Sequence, residues 1–321
     1  GFNTTPQAAL NNRRGYQPRG KVLGGSSSIN AMAYIRGQHA DYDHWAAQGN
    51  PGWGWEEVKP YFLRAENNNR ANAWHGRGGP FNVADLRAPN RFSQYFTDAG
   101  VQAGHPHNTD FNGATQEGVG LYQVTHKNGE RHSAAKGYLT PHLARPNLQV
   151  ITGAHATRIL FDGTRAVGVE YRQGGAIKQV RAGREVLLSA GALLSPQLLM
   201  LSGVRPAAHL QQHGIPVLHD LPGVGQHLHD HPDVVQVLDA PELKDLFGLS
   251  LSGMAQTLRG IIEWRKHRTG MLTTNFAEAG GFIKSDPSEA VPDLQLHFVI
   301  GKLVDHGRKT VFGPGYSAHV C

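Results

Sequence analysis

Residues 19–36 read Arg-Gly-Lys-Val-Leu-Gly-Gly-Ser-Ser-Ser-Ile-Asn-Ala-Met-Ala-Tyr-Ile-Arg, and no other stretch limits what the chain can build so tightly. Gly24 and Gly25 permit a turn that any side chain would block. Ser26, Ser27 and Ser28 bring hydroxyl donors and offer an N-cap for a helix beginning near Ile29. The N–H groups and partial positive charge of such a helix start favour a phosphate or pyrophosphate. Gly-Ser runs are also the composition of flexible linkers. Here, however, apolar residues flank the run on both sides, which a solvated linker does not need.

The rest of the chain is long enough, at 321 residues, for two domains with a core. Its 40 glycines and 18 prolines imply many tight turns, as in an α/β or α+β protein. The formal charge is +6, but Lys and Arg are scattered without interleaved aromatics, so the basic excess reads as a solvated surface and not a nucleic-acid site. With a mean hydropathy of −0.40 and no apolar run near the ~18 residues that a membrane helix requires, no span is expected. Cys321 is the only cysteine, which excludes an internal disulfide and any cysteine-based metal cluster and is compatible with a reducing compartment.

Periodicity and punctuation predict helices over residues 41–48, 56–67, 91–103, 133–143, 195–203 and 253–267. Strands are expected at 81–83, 148–152, 155–161, 166–172, 177–181, 185–189, 275–283, 293–300 and 316–321. Asp162-Gly163 and Gly174-Gly175 mark hairpins, so the middle of the chain reads as a small β-meander. The run 185–201, strand then Gly191 then helix, has the grammar of a dinucleotide site. Residues 104–118 read as a surface loop, and Trp45, Trp53 and Trp55 as residues packing a loop onto a core.

Several motifs carry less than they suggest. Gly223-Val224-Gly225 begins like a dinucleotide fingerprint, yet Leu228 stands where its third glycine belongs. His227, His229 and His231 alternate, with His219 nearby, but Pro232 makes a regular strand doubtful and no further ligand is placed to complete a metal site. No metal is expected. Ser133-Ala134-Ala135-Lys136 matches the Ser-x-x-Lys of acyl-transfer enzymes without its companion motifs. Glu278, among small and apolar neighbours on a strand, either lines a cavity or is bonded structurally to backbone.

The run 19–34, followed by Gly37 and Asp41-Tyr42-Asp43, resembles the first signature of the glucose-methanol-choline flavoprotein oxidoreductases. Residues 191–204 resemble the second signature, with Arg205 where the family usually has Gly, and residues 221–231 are also family-like. The resemblance implies an α/β (α+β) fold: a Rossmann-like FAD-binding domain with an inserted β-meander, plus an antiparallel-sheet substrate domain. It divides the chain into FAD-binding parts at 1–67 and 130–235, a substrate-domain or connecting part at 68–129 and a truncated substrate-binding domain at 236–321. It places Val22, Leu23, Gly24, Gly25, Ser26, Asn30, Ala31, Met32 and Ala33 beside the flavin and pyrophosphate, and Ala156 beside the adenine.

By the same resemblance, the reaction is oxidation of a primary alcohol to an aldehyde, with choline as the alternative substrate and an unidentified electron acceptor. In choline-oxidising relatives a Glu in a passage like that of Glu278 meets the cationic head, which makes Glu278 a substrate-side candidate. Some relatives attach FAD through a His at the position of Ile29, so FAD is expected to be non-covalent here. The resemblance puts the dinucleotide fingerprint before Gly1 and the catalytic histidines after Cys321. The chain therefore reads as an internal fragment with little turnover alone, and no catalytic residue is assigned. A lyase with a structural flavin, or a chain that binds without turnover, is the alternative of another class. A cytoplasmic location is expected, with peripheral membrane association as the variant.

Overall fold

The computed structural model describes residues 1–70, 72–309 and 311–321. It forms two compact units, one of residues 1–144 and 232–321, the other of residues 145–231. Helices and strands are mixed in both, as the α/β expectation requires.

The larger unit is built on a five-stranded sheet in the order Val234–Asp239, Gly315–Val320, Leu294–Val299, Ala277–Ile283, Gly118–Leu121, with every neighbouring pair antiparallel. The helix Arg91–Gln102 lies on this sheet, where Phe92 and Phe96 join Leu246, Ala279, Phe298 and Ile300 in one apolar cluster. Phe96 stacks on Phe298 with ring centroids 5.1 Å apart. Burying one such ring contributes roughly 1.5–3 kcal/mol. A second cluster, Phe111, Tyr122 and Phe282, packs nearby with Ala33 and Ile35, tying the segment after the Gly-Ser run to the sheet.

Two glycines make this packing possible. Tyr122 is fully buried and its hydroxyl donates to the Leu296 carbonyl at 2.6 Å. A Cβ on Gly280 would collide with that Tyr122 hydroxyl and with the Leu296 carbonyl, and one on Gly120 would collide with the Asn108 carbonyl.

The smaller unit carries the predicted meander: His155–Asp162, Arg165–Gln173 and Ala176–Arg181, antiparallel throughout. Helix Gly191–Leu201 follows, and Ser202 Oγ beyond its end accepts the Ile159 amide at 2.8 Å, pinning it to the first strand.

Some expectations fail locally. Residues 148–152 and 185–189 are not strands: a strand needs a hydrogen-bonded neighbour, and no described segment pairs with either. The predicted helix over 133–143 is a π-helical turn, Ala135–Leu139, and a 3-10 turn, Thr140–His142, because Pro141 breaks the ladder. Residues 104–118 are not a surface loop throughout, since Asn108, Phe111 and Asn112 are buried. Of the three tryptophans only Trp55 is core; Trp45 and Trp53 pack edge to face on the outside. No described helix is long and apolar enough to cross a membrane.

Gly280→Ala should destabilise the protein by roughly 2 kcal/mol or more, because both colliding atoms are held in the sheet. Urea unfolding of the variant against the parent measures it; equal midpoints would contradict the packing described.

Candidate functional site

The Gly-Ser run folds as a compact loop closed by its own hydroxyls. Gly24 and Gly25 have φ of +88° and +56°, which only glycine adopts at low cost, and a 3-10 turn spans Gly25–Ser28. No helix begins at Ile29, so the expected N-cap is replaced by internal bracing. Ser27 Oγ donates to the Gly24 carbonyl at 2.6 Å and Ser28 Oγ to the Leu23 carbonyl at 2.8 Å, while Ser26 Oγ accepts the Gly20 amide at 3.3 Å. The serine hydroxyls shape the loop, and the face left to a ligand is backbone and apolar side chain.

Residues 130–135 brace the loop from outside its own sequence. The Ala134 amide donates to Ser27 Oγ at 2.9 Å, and Arg131 Nη1 donates to the Ser27 carbonyl at 3.1 Å and to Asn30 Oδ1 at 2.8 Å. Asn30 Oδ1 in turn accepts the Met32 amide at 3.2 Å. This supports Met32 at φ +61°, a conformation that costs a non-glycine residue on the order of 1 kcal/mol or more. The Met32 carbonyl accepts the Thr125 amide, the Ala31 carbonyl accepts Asn275 Nδ2, and Met32 Sδ sits 3.1 Å from His126 Nε2. Residues 30–34 are thus held from below by 123–126 and by Asn275.

Part of the loop surface is apolar and open. Val22, Leu23 and Ile29 are exposed by 56%, 48% and 50%, although apolar, and a Cβ on Gly25 would meet nothing within 4 Å. Asn275 Oδ1 and His126 Nδ1, both buried beside Ala31 and Met32, have no hydrogen-bond partner among the described residues. Burial, with Arg131 and Arg87 nearby, lowers the His126 pKa to about 4, so the ring is neutral at pH 7. The expected cofactor residues Val22, Leu23, Gly24, Gly25, Ser26, Asn30, Ala31, Met32 and Ala33 therefore form one continuous loop. Ala156 lies in the other unit, on the strand His155–Asp162, paired with Tyr171.

The end of the cradle segment is anchored in a buried polar cluster. Arg36 pairs with Glu66, donates through Nη1 to the Trp74 carbonyl at 2.7 Å, and gives its amide to Asn112 Oδ1 at 2.7 Å. Glu66 Oε1 also meets His75 Nδ1 at 3.0 Å, and His75 Nε2 meets Asp110 Oδ2 at 2.9 Å. Burial alone would lower the pKa of His75, but the bonds to Asp110 and Glu66 outweigh it and hold the ring protonated, with a pKa of about 9. Sequence reasoning missed this cluster, whose members are far apart in the chain and match no motif. It also missed Arg131, which touches the cradle only in three dimensions.

Glu278 is 1% exposed. It stands at a β-bulge, where the register slips between Ala277 and Ala279, and the bulge aims its carboxylate at the start of the helix Arg91–Gln102. Its Oε2 accepts the Asn90 amide at 2.7 Å and Ser93 Oγ at 2.8 Å, and its Oε1 accepts Thr274 Oγ1 at 2.6 Å. The carboxylate also borders a cavity of about 300 Å³ lined by Asn90, Asp245, Phe247, Gln256 and Met271. Ser133 and Lys136 form no catalytic pair: Lys136 Nζ turns to Glu130 at 2.9 Å. His227, His229 and His231 lie on an exposed, irregular stretch.

The His75 contribution to stability is present in full below its unfolded pKa near 6.5 and is lost as pH rises through 9. Glu66 and Asp110, whose pKa values are lowered despite burial, give the opposite limb, lost as pH falls below about 4.5. Urea unfolding should therefore show stability declining between pH 7 and pH 10. His75→Leu should cost about 3–5 kcal/mol at pH 7 and flatten that decline.

Comparison with known proteins places this chain in a family. The GMC oxidoreductase family model matches residues 3–233, which include the whole cradle. The chain is similar to an alcohol dehydrogenase [acceptor] of Pseudomonas putida, 48% identical over all of this chain and 58% of the relative. It is also similar to an oxygen-dependent choline dehydrogenase of Brucella ovis, 41% identical over the same shares. Among solved structures it is similar to an FAD-dependent oxidoreductase from Chaetomium thermophilum, with a TM-score of 0.85 and 27% identity over all of this chain and 64% of that one. The chain thus spans 58% of the length of the curated relatives it matches. With most of its residues, both signatures and the cradle inside the match, the chain belongs to the GMC oxidoreductase family.

Proposed function

We propose that this chain carries the cradle side of an FAD-dependent oxidoreductase that acts on CH–OH groups, oxidising a primary alcohol to an aldehyde. The observation that supports this most is the loop of residues 22–33: rigidly braced from below, yet open and apolar-rimmed above. Val22, Leu23 and Ile29 suit the flat face of a flavin, and the bare backbone at Gly25 suits the close approach of a phosphate. Bound there, FAD supplies the acceptor for the hydride leaving the alcohol carbon. The chain's own part is to bind and orient: Arg131, Asn30 and Thr125 fix Met32, and Asn275 fixes Ala31. The partition into FAD-binding parts at 1–67 and 130–235, a substrate-domain or connecting part at 68–129 and a substrate-binding part at 236–321 belongs to this reading. So do Ala156 at the adenine and a cytoplasmic location.

Ile29 offers no atom for a covalent link to flavin, which supports a dissociable cofactor. Choline remains the second substrate reading, supported by the Brucella ovis relative. The geometry of Glu278 favours the alcohol: both carboxylate oxygens are occupied by Asn90, Ser93 and Thr274, which suits a helix-capping role.

The full-length protein should be yellow, with a flavin absorption spectrum that bleaches when a primary alcohol is added anaerobically. Bleaching with choline alone would transfer the substrate assignment, and a colourless full-length protein would sink the proposal. Acid precipitation should release the flavin to the supernatant; colour retained in the pellet would refute the dissociable cofactor.

A further inference from the structure

We propose that the helix Leu251–His267 docks this protein on the surface of an anionic phospholipid membrane. The inference is independent of the FAD reading above. This helix has its faces reversed. The side turned to the protein is small and polar: Gly260 lies so close to Met271 that a Cβ would stand 2.8 Å from Met271 Cγ, and Gln256 Nε2 donates to the Lys244 carbonyl at 2.7 Å. Trp264 Nε1 donates to the Gly129 carbonyl at 2.8 Å on the same side. The outer side is apolar, with Met254, Leu258 and Ile262 exposed by 61%, 62% and 56% and Ile261 by 36%. A helix that faces water carries the opposite pattern.

These positions form one stripe. At 3.6 residues per turn, Met254, Leu258, Ile261, Ile262 and Arg265 fall within a sector of about 100°, and Arg259 and Lys266 run along one edge of it. Glu263, the only carboxylate of the helix, lies farther round. Arg259, Arg265 and Lys266 form no ion pair among the described residues, whereas Arg268, just past the end, is held by Glu130 at 2.5 Å and lies over the Trp264 ring. Ser250 Oγ accepts the Gly253 amide at 3.0 Å at the other end, so the stripe is held outward on a helix fixed at both termini. An apolar stripe edged by unpaired cations suits a lipid surface: the apolar side chains enter the acyl boundary while the cations meet headgroup phosphates. A second copy fits less well, because it would set the same cations against each other. Four partly exposed side chains also fall short of the ~800 Å² per partner that a stable dimer buries.

The test is co-sedimentation of the full-length protein with vesicles of phosphatidylcholine, alone or with about 30% phosphatidylglycerol. The parent should bind the anionic vesicles, more weakly as salt rises from about 50 to 500 mM, and bind the neutral ones less. The double variant Leu258→Glu, Ile262→Glu should lose about 10-fold or more in affinity for anionic vesicles, with an unchanged unfolding midpoint because both side chains are exposed. The double variant Arg259→Gln, Lys266→Gln should lose roughly 10- to 30-fold on anionic vesicles and less than about threefold on neutral ones. A parent that does not bind anionic vesicles would overturn the inference, as would parent-like binding by the Leu258→Glu, Ile262→Glu variant. A parent dimer that this variant splits into monomers would also overturn it, by giving the stripe to a second copy. If the acidic variant does not fold, the Arg259→Gln, Lys266→Gln variant decides, and its unchanged binding to anionic vesicles refutes the role. A colourless parent that still binds vesicles would remove the FAD reading and leave this one standing.

Discussion

The pairing of Arg36 with Glu66 inside a buried cluster is the constraint on which the cradle depends. Arg36 ends the segment that begins with the Gly-Ser run, and its charge is out of contact with water. A buried guanidinium is tolerated when its charge is answered, and here Glu66 answers the charge and the Trp74 carbonyl accepts from Nη1, while Nε is buried without a hydrogen-bond partner among the described residues. Glu66 is itself shared with His75, which reaches on to Asp110. Arg36, Glu66 and His75 are buried, while Asp110 is partly exposed and also meets Arg70 at 3.5 Å, so the alternating charges run from the core to its rim. Such an arrangement is costly to break and contributes geometry more than net stability: it fixes where residues 34–36 leave the core.

From that anchor the rest of the site follows by short hydrogen bonds. Asn112 holds both the Tyr34 carbonyl and the Arg36 amide, and the Tyr34 amide meets the Gln123 carbonyl. The next residues, 124–126, carry the bonds to Met32 and the contact with its sulfur, and residues 131–134 close over Ser27 and Asn30. The loop is therefore a rigid shelf. Rigidity matters for a cofactor that must be oriented, because a loosely held shelf would lose both affinity and alignment. The exposed Val22, Leu23 and Ile29 are affordable on such a shelf if a ligand covers them, and would be a liability otherwise.

Glu278 illustrates how much a single register slip decides. On a regular strand it would have alternated with Ala277 and Ala279; the bulge instead turns its carboxylate to the first turn of the helix Arg91–Gln102. The sequence left open whether this acid lined a cavity or was bonded structurally. The answer lies in three donors, two of them some 190 residues away in the chain, and no local pattern announces them.

Local chemistry determined much of this protein. The turn at Gly24-Gly25, the meander punctuated by Gly163 and Gly174-Gly175, and most helices are legible because glycine freedom, capping and periodicity act over a few residues. The family signature in residues 19–34 was legible by its resemblance to known sequences, being one unbroken run. What only the tertiary structure decided are the features that need a distant partner. Residues 148–152 and 185–189 had strand character but no described neighbour to bond. Ser26, Ser27 and Ser28 had free hydroxyls on paper and spend them within the loop and on Ala134. Arg131 looked like one more scattered surface cation, yet its guanidinium bonds the Ser27 carbonyl and Asn30 of the loop. Hydrogen bonds and charges are satisfied in space, not along the chain, and for that reason the sequence marked the cradle while the fold revealed what holds it.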